Sequence, residues 1–368
     1  MAADLTLERI HWQVYCLPLR APFRTAHGLL STRWGAIVEV SSAGGSLQGY
    51  GELAPLPPFS PALSSVLAAL PALVKSLERT SLGEALALLQ EQQEAGCLPA
   101  PATFALEVAL LDLRARALGQ GLLAPYARQA VPVNAVIGAS KPDEAAEAAR
   151  QAVAAGFRCL KLKLSGDEQQ DGERLAAVRA SVGGAIALRL DANASWSLAQ
   201  AERLLRAYAP YDIAYVEQPL AADDLEELRQ LRRRSPIPIA ADESLSGLES
   251  ARQLLQLEAA DVLILKPQFL GGLRPTLQII EEAATRGVTC VLTSALETGI
   301  GICATLHLAA AHPALTQAAG LATLSLLRAD LLSEPLTYND GQLQLPPGPG
   351  LGVRPDRAAL ARYSSSAL

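Results

Sequence analysis

The sequence predicts an α/β protein in which a TIM-like (β/α) barrel follows an α+β segment. From about residue 131, short apolar segments alternate strictly with helical periodicity, which gives seven strand–helix units with short connections. The residues before this point place their strands ahead of their helices, which is the α+β pattern. An open doubly wound sheet is the alternative, but the chain lacks a glycine-rich dinucleotide fingerprint.

The N-terminal segment, residues 1–126, is expected to form the α+β unit. Apolar alternation predicts strands at 7–19 and 34–41, and a third strand after a turn at 43–45. Residues 20–28 are polar and contain Pro and Gly, which predicts a mobile loop between the first two strands. Helical periodicity then predicts helices at 62–79, 82–95 and 101–118.

The central segment, residues 127–322, carries the alternation that predicts the barrel. Its predicted strands are 131–137, 158–164, 186–191, 213–217, 237–241, 261–265 and 288–293. Its predicted helices are 142–155, 168–181, 197–208, 223–233, 246–257, 271–286 and 299–311. Beyond about residue 320 the alternation stops, and residues 323–368 are expected to pack back on the N-terminal unit.

Composition and charge exclude several functional classes. A net charge of −6 and a pI near 5.4 disfavour a general nucleic-acid surface. No apolar run approaches the length of a membrane span, and the N-terminus lacks the apolar region of a signal peptide. The five cysteines are scattered without zinc or redox spacing, which predicts free thiols in a reducing cytosol. The sequence therefore predicts a cytoplasmic protein, and it leaves open whether the chain forms a homo-oligomer.

Two lysines alternate with leucines in the second predicted strand of the barrel. Leu160 and Leu162 point to one face of this strand, and Lys161 and Lys163 point to the other. Only five of the 31 Lys and Arg residues are lysines, so lysines in a covered strand suggest proton chemistry, which arginine cannot perform. Burial and like charge should lower the pKa of both lysines. The alternative interpretation is a strand with two snorkelling lysines.

Charged residues follow at the ends of the next four predicted strands, each about one strand–helix unit further along. They are, in order, Asp191, Glu217, Asp242 and Lys266. Because barrel active sites lie at the carboxyl ends of the strands, we expect these residues to meet the two lysines at one level. Each acid alone could instead cap the following helix, but the ordered set of six predicts a functional site.

The residue types in this set indicate a particular chemistry. Three carboxylates without thiolate or imidazole ligands suit a hard cation such as Mg²⁺, with Mn²⁺ as a substitute. A flanking lysine could then remove a proton next to the carboxylate of a small-molecule substrate, while the metal takes up the charge of the developing enediolate.

These motifs carry a family resemblance. Lys-x-Lys, Asp-Ala-Asn, Glu-Gln-Pro, Asp-Glu-Ser and Leu-Lys-Pro, in this order, resemble the muconate-lactonizing subgroup of the enolase superfamily over nearly the whole chain. The resemblance implies a modified (β/α)7β TIM-like barrel under an α+β capping domain formed from both termini. It implies that Asp191, Glu217 and Asp242 bind Mg²⁺. It further implies that Lys163 is the base and that Lys266 lies on the opposite face of the substrate, with Lys161 beside them.

Three further stretches resemble the o-succinylbenzoate synthase family within this subgroup: residues 18–28 with Arg33, residues 49–59, and residues 293–301. This resemblance implies dehydration of 2-succinyl-6-hydroxy-2,4-cyclohexadiene-1-carboxylate to 2-succinylbenzoate, in menaquinone or phylloquinone synthesis. N-acylamino acid racemases share the third stretch, so a racemase or dipeptide epimerase is the alternative. A non-catalytic binding barrel is a third interpretation, which the intact charged set disfavours.

Substrate contacts are expected from two places. Ser294 and the backbone N–H groups at the helix start around Gly299 could bind a substrate carboxylate, unless this is a plain helix cap. Arg24 and His27 could cover the substrate, unless they belong to a solvated loop.

Overall fold

Two hydrophobic cores organise the chain in the computed structural model, which describes residues 5–25, 28–138 and 141–365. One core lies between an N-terminal antiparallel sheet and three helices. The other surrounds a seven-stranded parallel sheet and its covering helices. None of the helices within these ranges has the length and apolar character required to cross a bilayer.

The N-terminal unit has the predicted order of strands before helices. Its elements are β1 (Leu7–Thr25), β2 (Gly28–Ser42), β3 (Gln48–Leu53), α1 (Leu63–Leu77), α2 (Leu82–Glu94) and α3 (Ala100–Leu118). The three strands pair in the order β1-β2-β3. Two glycines of β3 allow α3 to pack directly on the sheet, since a Cβ atom at Gly51 would lie 1.9 Å from the carbonyl oxygen of Ala105.

The loop predicted at 20–28 is wrong. Pairing of β1 with β2 continues to Thr25 opposite Gly28, after a register shift between Pro18 and Phe23. Residues 20–22 and Gly28 are exposed, so polar side chains and Pro22 are compatible with strand structure there. Polarity alone therefore misidentified paired strand residues as a loop.

The barrel sheet is parallel and has the order β11-β10-β9-β8-β7-β6-β5, which confirms the predicted fold class. Its strands are β5 (Ala135–Ile137), β6 (Cys159–Lys163), β7 (Ala187–Asp191), β8 (Ile213–Glu217), β9 (Ile239–Ala241), β10 (Val262–Leu265) and β11 (Thr289–Leu292). Its helices are α4 (Pro142–Ala154), α5 (Glu168–Val182), α6 (Leu198–Tyr208), α7 (Leu225–Arg234), α8 (Leu248–Leu257), α9 (Pro267–Leu270), α10 (Leu273–Thr285) and α11 (Gly299–Ala311). The short α9 was not predicted.

Residues 319–320 close the sheet between its two outer strands. Ala319 forms a parallel bridge to Val133, and Gly320 forms one to Thr293. The predicted first strand at 131–137 is in fact two short strands, β4 (Ala130–Pro132) and β5, because the chain changes partners here. β4 pairs with a C-terminal hairpin, whereas β5 joins the barrel.

The C-terminal residues contact both units. The strand β12 (Tyr338–Asn339) pairs with β13 (Gln342–Gln344), which in turn pairs with β4. After α12 (Arg357–Tyr363), the Ser365 N–H donates a hydrogen bond to the Val14 carbonyl of the N-terminal sheet. The predicted boundaries at 126/127 and 322/323 stay predictions.

Local sequence signals explain where several barrel helices begin. The side chains of Asp167, Ser197 and Asp224 each accept a hydrogen bond from the backbone N–H three residues later, at the starts of α5, α6 and α7. These caps fix the turns that connect each strand to its helix. They thereby help to position the carboxyl end of each strand.

We predict that Gly51→Ala lowers the free energy of unfolding by about 1–3 kcal/mol or more, because the new methyl group overlaps the backbone of α3. Gly172→Ala within α5 is the matched control. Its Cβ would meet only a Tyr208 ring carbon at 3.9 Å, so a gain of about 0.5–1 kcal/mol in helix stability is expected. Urea unfolding of both variants tests this. Equal stability of the two would refute the close packing of β3 on α3.

Candidate active site

The strand register brings the predicted charged residues to one level. Lys163 lies opposite Asp191, and Asp191 lies opposite Glu217 on the next strand. Asp242 and Lys266 directly follow β9 and β10. All six predicted residues, including Lys161, line a single pocket of about 110 Å³ at the carboxyl ends of the strands.

The predicted alternation of β6 explains why the lysines face this pocket. Leu160 and Leu162 are buried in the main core against the helices, and the two lysines point into the barrel. Inside the barrel, below the charged level, lies a separate apolar cluster that includes Tyr215 and Ile264. The buried Arg189 shares this interior, and its guanidinium carbon lies 5.0 Å from the centroid of the Tyr215 ring. The lysine heads are largely buried beside these side chains, where burial of a charge requires a partner.

Each lysine head has a carboxylate partner. Lys161 Nζ lies 2.9 Å from Asp191 Oδ2 and 2.6 Å from Glu217 Oε1. Lys163 Nζ lies 3.0 Å from the same Asp191 oxygen. Lys266 Nζ lies 2.6 Å from both oxygens of Asp242. Three cations and three anions thus meet in one pocket, with each cation beside a carboxylate.

These pairs contradict one expectation about the lysines. Burial lowers the pKa of Lys161, but Asp191 and Glu217 raise it more, and the result lies well above the ordinary value. Burial and Asp242 oppose each other in the same way at Lys266, whose pKa is also raised. The predicted lowering is therefore wrong for Lys161 in this arrangement, because the sequence argument counted the neighbouring ammonium but not the carboxylates around it.

Burial would raise the pKa of Asp191, but Lys161 and Lys163 outweigh burial and hold this pKa below its usual range. Glu217, in contrast, is short of positive charge. Burial raises the pKa of Glu217 to about 8, and Asp191 and Asp242 add to the effect of burial while Lys161 opposes it. A further cation near Glu217 would favour its ionised form.

The donor set fits a hard cation in its chemistry and position. Asp191, Glu217 and Asp242 supply oxygen ligands from three adjacent strand ends, and Mg²⁺ prefers such ligands. As the side chains stand, no three His, Cys, Asp or Glu residues of the described ranges converge enough to hold an ion. Lys161 lies between Asp191 and Glu217, so the ammonium group occupies space that a bound metal would require.

Gln218 is a site residue that the sequence reasoning missed. Its buried side-chain oxygen accepts hydrogen bonds from the backbone N–H groups of Asp242 and Ser244, and its amide donates to the Ser244 hydroxyl. Gln218 thereby holds the end of β9 against the end of β8. The Glu-Gln-Pro motif contains this residue, but the sequence analysis assigned a role only to its first member, Glu217.

Aromatic residues from both units form one wall of the pocket. Phe59, from the segment after β3, stacks on Phe269 with ring centroids 5.8 Å apart and planes at 4°. Lys266 Nζ lies 4.6 Å from the centroid of the Phe59 ring, which is a cation–π contact. No periodicity in the sequence pointed to Phe59, although it ends the quoted stretch 49–59.

The remaining wall is apolar or uncharged. Among the described lining residues, the carboxylates are Asp191, Glu217 and Asp242, and each already contacts a lysine. The uncharged polar lining residues are Asn134, Asn193, Thr293, Ser294 and Thr323. A further acid, Glu243, accepts a hydrogen bond from the lining residue Asn193 at 3.3 Å and lines the adjoining cavity with Asp242 and Lys266.

The predicted substrate contacts have different outcomes. Ser294 lines the pocket, with its hydroxyl 2.6 Å from that of Thr323. The Gly299 N–H donates to Asp330 Oδ1 at 2.8 Å, so a substrate could use it only if Asp330 moved. The Arg24 side chain and all of His27 lie outside the described residues, and their predicted roles stay predictions.

The helix start near Gly299 is in fact occupied by the chain's own carboxylates. Glu52 of β3 accepts hydrogen bonds from the N–H groups of Thr298 and Gly301, each at 2.8 Å, and from the Tyr15 hydroxyl at 2.5 Å. A buried acid at a helix N-terminus satisfies unpaired N–H groups and the helix dipole. This contact ties the N-terminal sheet to α11.

Known proteins share this architecture. The solved structure of muconate lactonizing enzyme from Pseudomonas fluorescens complexed with muconolactone superposes with a TM-score of 0.93. It is 26% identical and covers 98% of this chain and 100% of that one. An o-succinylbenzoate synthase of Thermobifida fusca (strain YX) is 42% identical over 59% of this chain and 67% of its own length. The L-Ala-D/L-Glu epimerase of Bacillus subtilis (strain 168) is 32% identical over 95% of this chain and 97% of its own.

Family matches cover both structural units. Residues 10–124 match the family described as mandelate racemase / muconate lactonizing enzyme, N-terminal domain. Residues 144–359, which contain all six charged residues of the pocket, match the enolase C-terminal domain-like family. With both domains matched, and with the expected carboxylates and lysines gathered at the barrel mouth, this chain belongs to the enolase superfamily.

Proposed function

We propose that this protein is a Mg²⁺-dependent lyase of the o-succinylbenzoate synthase type, acting in menaquinone or phylloquinone synthesis. It would dehydrate 2-succinyl-6-hydroxy-2,4-cyclohexadiene-1-carboxylate to 2-succinylbenzoate. The observation that carries the proposal is the placement of Lys163 and Lys266 on two sides of one pocket, with three carboxylates between them. The 42% identity to an o-succinylbenzoate synthase supports this reaction over others of the superfamily.

Asp191, Glu217 and Asp242 would hold the metal. When bound, Mg²⁺ supplies positive charge that neutralises a substrate carboxylate and the charge that develops beside it. Its charge would also replace the ammonium of Lys161 as the partner of Asp191 and Glu217. The Lys161 head would then be displaced from between these two carboxylates.

The chain's own residues perform the proton transfers. Neutral Lys163 takes the proton from the carbon next to the substrate carboxylate. The C–O bond then breaks, and Lys163 returns this proton to the departing hydroxyl, which leaves as water. Lys266 stays charged beside Asp242 and Phe59, and stabilises the enediolate from the opposite side.

A racemase of acylated amino acids or an epimerase of dipeptides is the second candidate, since either reaction needs one base on each face of the substrate and the two lysines provide them.

Chelation is expected to abolish activity, and Mg²⁺ or Mn²⁺ should restore it while Zn²⁺ does so poorly, because the site offers only oxygen ligands. Turnover and bound metal are measured on the same dialysed sample. Full turnover in chelator, with no metal detected in the protein, would contradict the metal assignment.

Substitutions of the two lysines separate the two reactions. Lys163→Arg keeps the charge but removes any route to a neutral base, so dehydration should fall by about 10²–10⁴. Lys266→Arg should retain part of the dehydration activity, and Lys266→Ala should lose more, if Lys266 acts only through its charge. A racemase needs proton exchange at both positions, so Lys266→Arg would stop racemisation as completely as Lys163→Arg.

Wild type and variants are assayed with the cyclohexadiene substrate and with an N-succinylamino acid. Lys141→Arg is the control, because Lys141 is an exposed residue paired with Glu144 outside the pocket. Near-normal dehydration by Lys163→Arg would overturn the assignment of the base. Efficient racemisation by wild type, with the cyclohexadiene left intact, would replace the lyase by the racemase.

A further inference from the structure

Arg33 of β2 is almost fully buried, with 2% of its surface exposed, and all its N–H groups donate to backbone carbonyls. Two of these bonds reach the segment after β3, at the carbonyls of Ala54 and Pro55. Two more reach the segment after β11, at the carbonyls of Ala295 and Leu296, each at 3.1 Å. The fifth goes to the carbonyl of Trp34.

The two segments joined by Arg33 both contribute to the pocket wall. We define the cap loop as residues 54–59 and the barrel loop as residues 294–298. The cap loop places Leu56 and Phe59 in the pocket, and Phe59 contacts Lys266. The barrel loop contributes Ser294 and Leu296. A single guanidinium thus connects the loops of two structural units that meet over the substrate space.

The barrel loop also holds a strained backbone conformation. Leu296 has φ +64°, a left-handed value that a branched apolar residue rarely adopts. Such a residue persists only where its surroundings determine it, and strain of this kind concentrates at functional sites. The carbonyl of Leu296 is held by Arg33 Nε, and its N–H donates to the Ser294 hydroxyl at 3.3 Å.

We propose that Arg33 is a positioning residue that fixes the cap loop and the barrel loop together and thereby sets the shape of the substrate pocket. The proposal rests on the proposed function only where its test measures KM and kcat with the proposed substrate. The hydrogen-bond partners of Arg33 are all backbone carbonyls, and burial of a guanidinium for such partners is a costly way to stabilise the fold. Its five donors in a rigid plane are, however, suited to holding five acceptors in fixed positions, which the three rotatable donors of lysine cannot do.

The test is Arg33→Lys, which keeps the positive charge and most of the stem. We expect KM to rise roughly tenfold or more while kcat changes less, since misplacement of binding groups by about 1 Å is costly. Amide hydrogen exchange in both loops should also become about tenfold faster, with the strands β6–β8 unchanged. This second readout requires no substrate, so it stands even if the proposed reaction is wrong.

Arg179→Lys is the matched control. Arg179 of α5 also donates only to backbone carbonyls, those of Gly183, Ile186, Tyr211 and Asp212, but it does not line the pocket. It should lose stability without a change in KM or in exchange of the two loops. Arg33→Gln, which keeps two donors without the charge, is the second variant if Arg33→Lys folds poorly.

Two outcomes would overturn the proposal. One is wild-type KM and wild-type loop exchange in a folded Arg33→Lys or Arg33→Gln protein. The other is an equal rise of KM in Arg179→Lys, which would mean that KM follows general stability and not the connection made by Arg33.

Discussion

The balance of charge at the barrel mouth is the constraint on which the rest of the structure depends. Three lysines and three carboxylates line one pocket at the carboxyl ends of the strands, where the side chains are largely buried and an unpaired charge would be costly. Each ammonium therefore takes a carboxylate partner, and Glu217 still shows a pKa raised to about 8 by burial. The site is arranged so that added positive charge stabilises it.

The N-terminal unit completes the site through a few contacts with the barrel. Phe59 contacts Lys266, Glu52 occupies the start of α11, and Arg33 joins the cap loop to the barrel loop. Loss of these contacts would expose the lysine–carboxylate cluster to water, which weakens every electrostatic interaction within it. The N-terminal unit therefore strengthens the electrostatic interactions of the site in addition to covering it.

Sequence reasoning found the features that follow from periodicity. The alternation of β6 and the even spacing of Asp191, Glu217 and Asp242 predicted both the barrel and the level of the site. It missed features that depend on contacts between distant segments. Examples are the Phe59–Lys266 contact and the hydrogen bonds from Arg33 to backbone carbonyls of two loops. It also predicted a lowered pKa for Lys161, which is in fact raised, because this pKa depends on distances to carboxylates that the sequence does not contain.

The most direct test of the central claim is a crystal structure of the protein grown with Mn²⁺, using anomalous scattering to locate the ion. We expect one strong anomalous peak within bonding distance of Asp191, Glu217 and Asp242, with the Lys161 head displaced from between Asp191 and Glu217. A peak elsewhere, or none at saturating Mn²⁺ with the lysine–carboxylate pairs unchanged, would contradict the account.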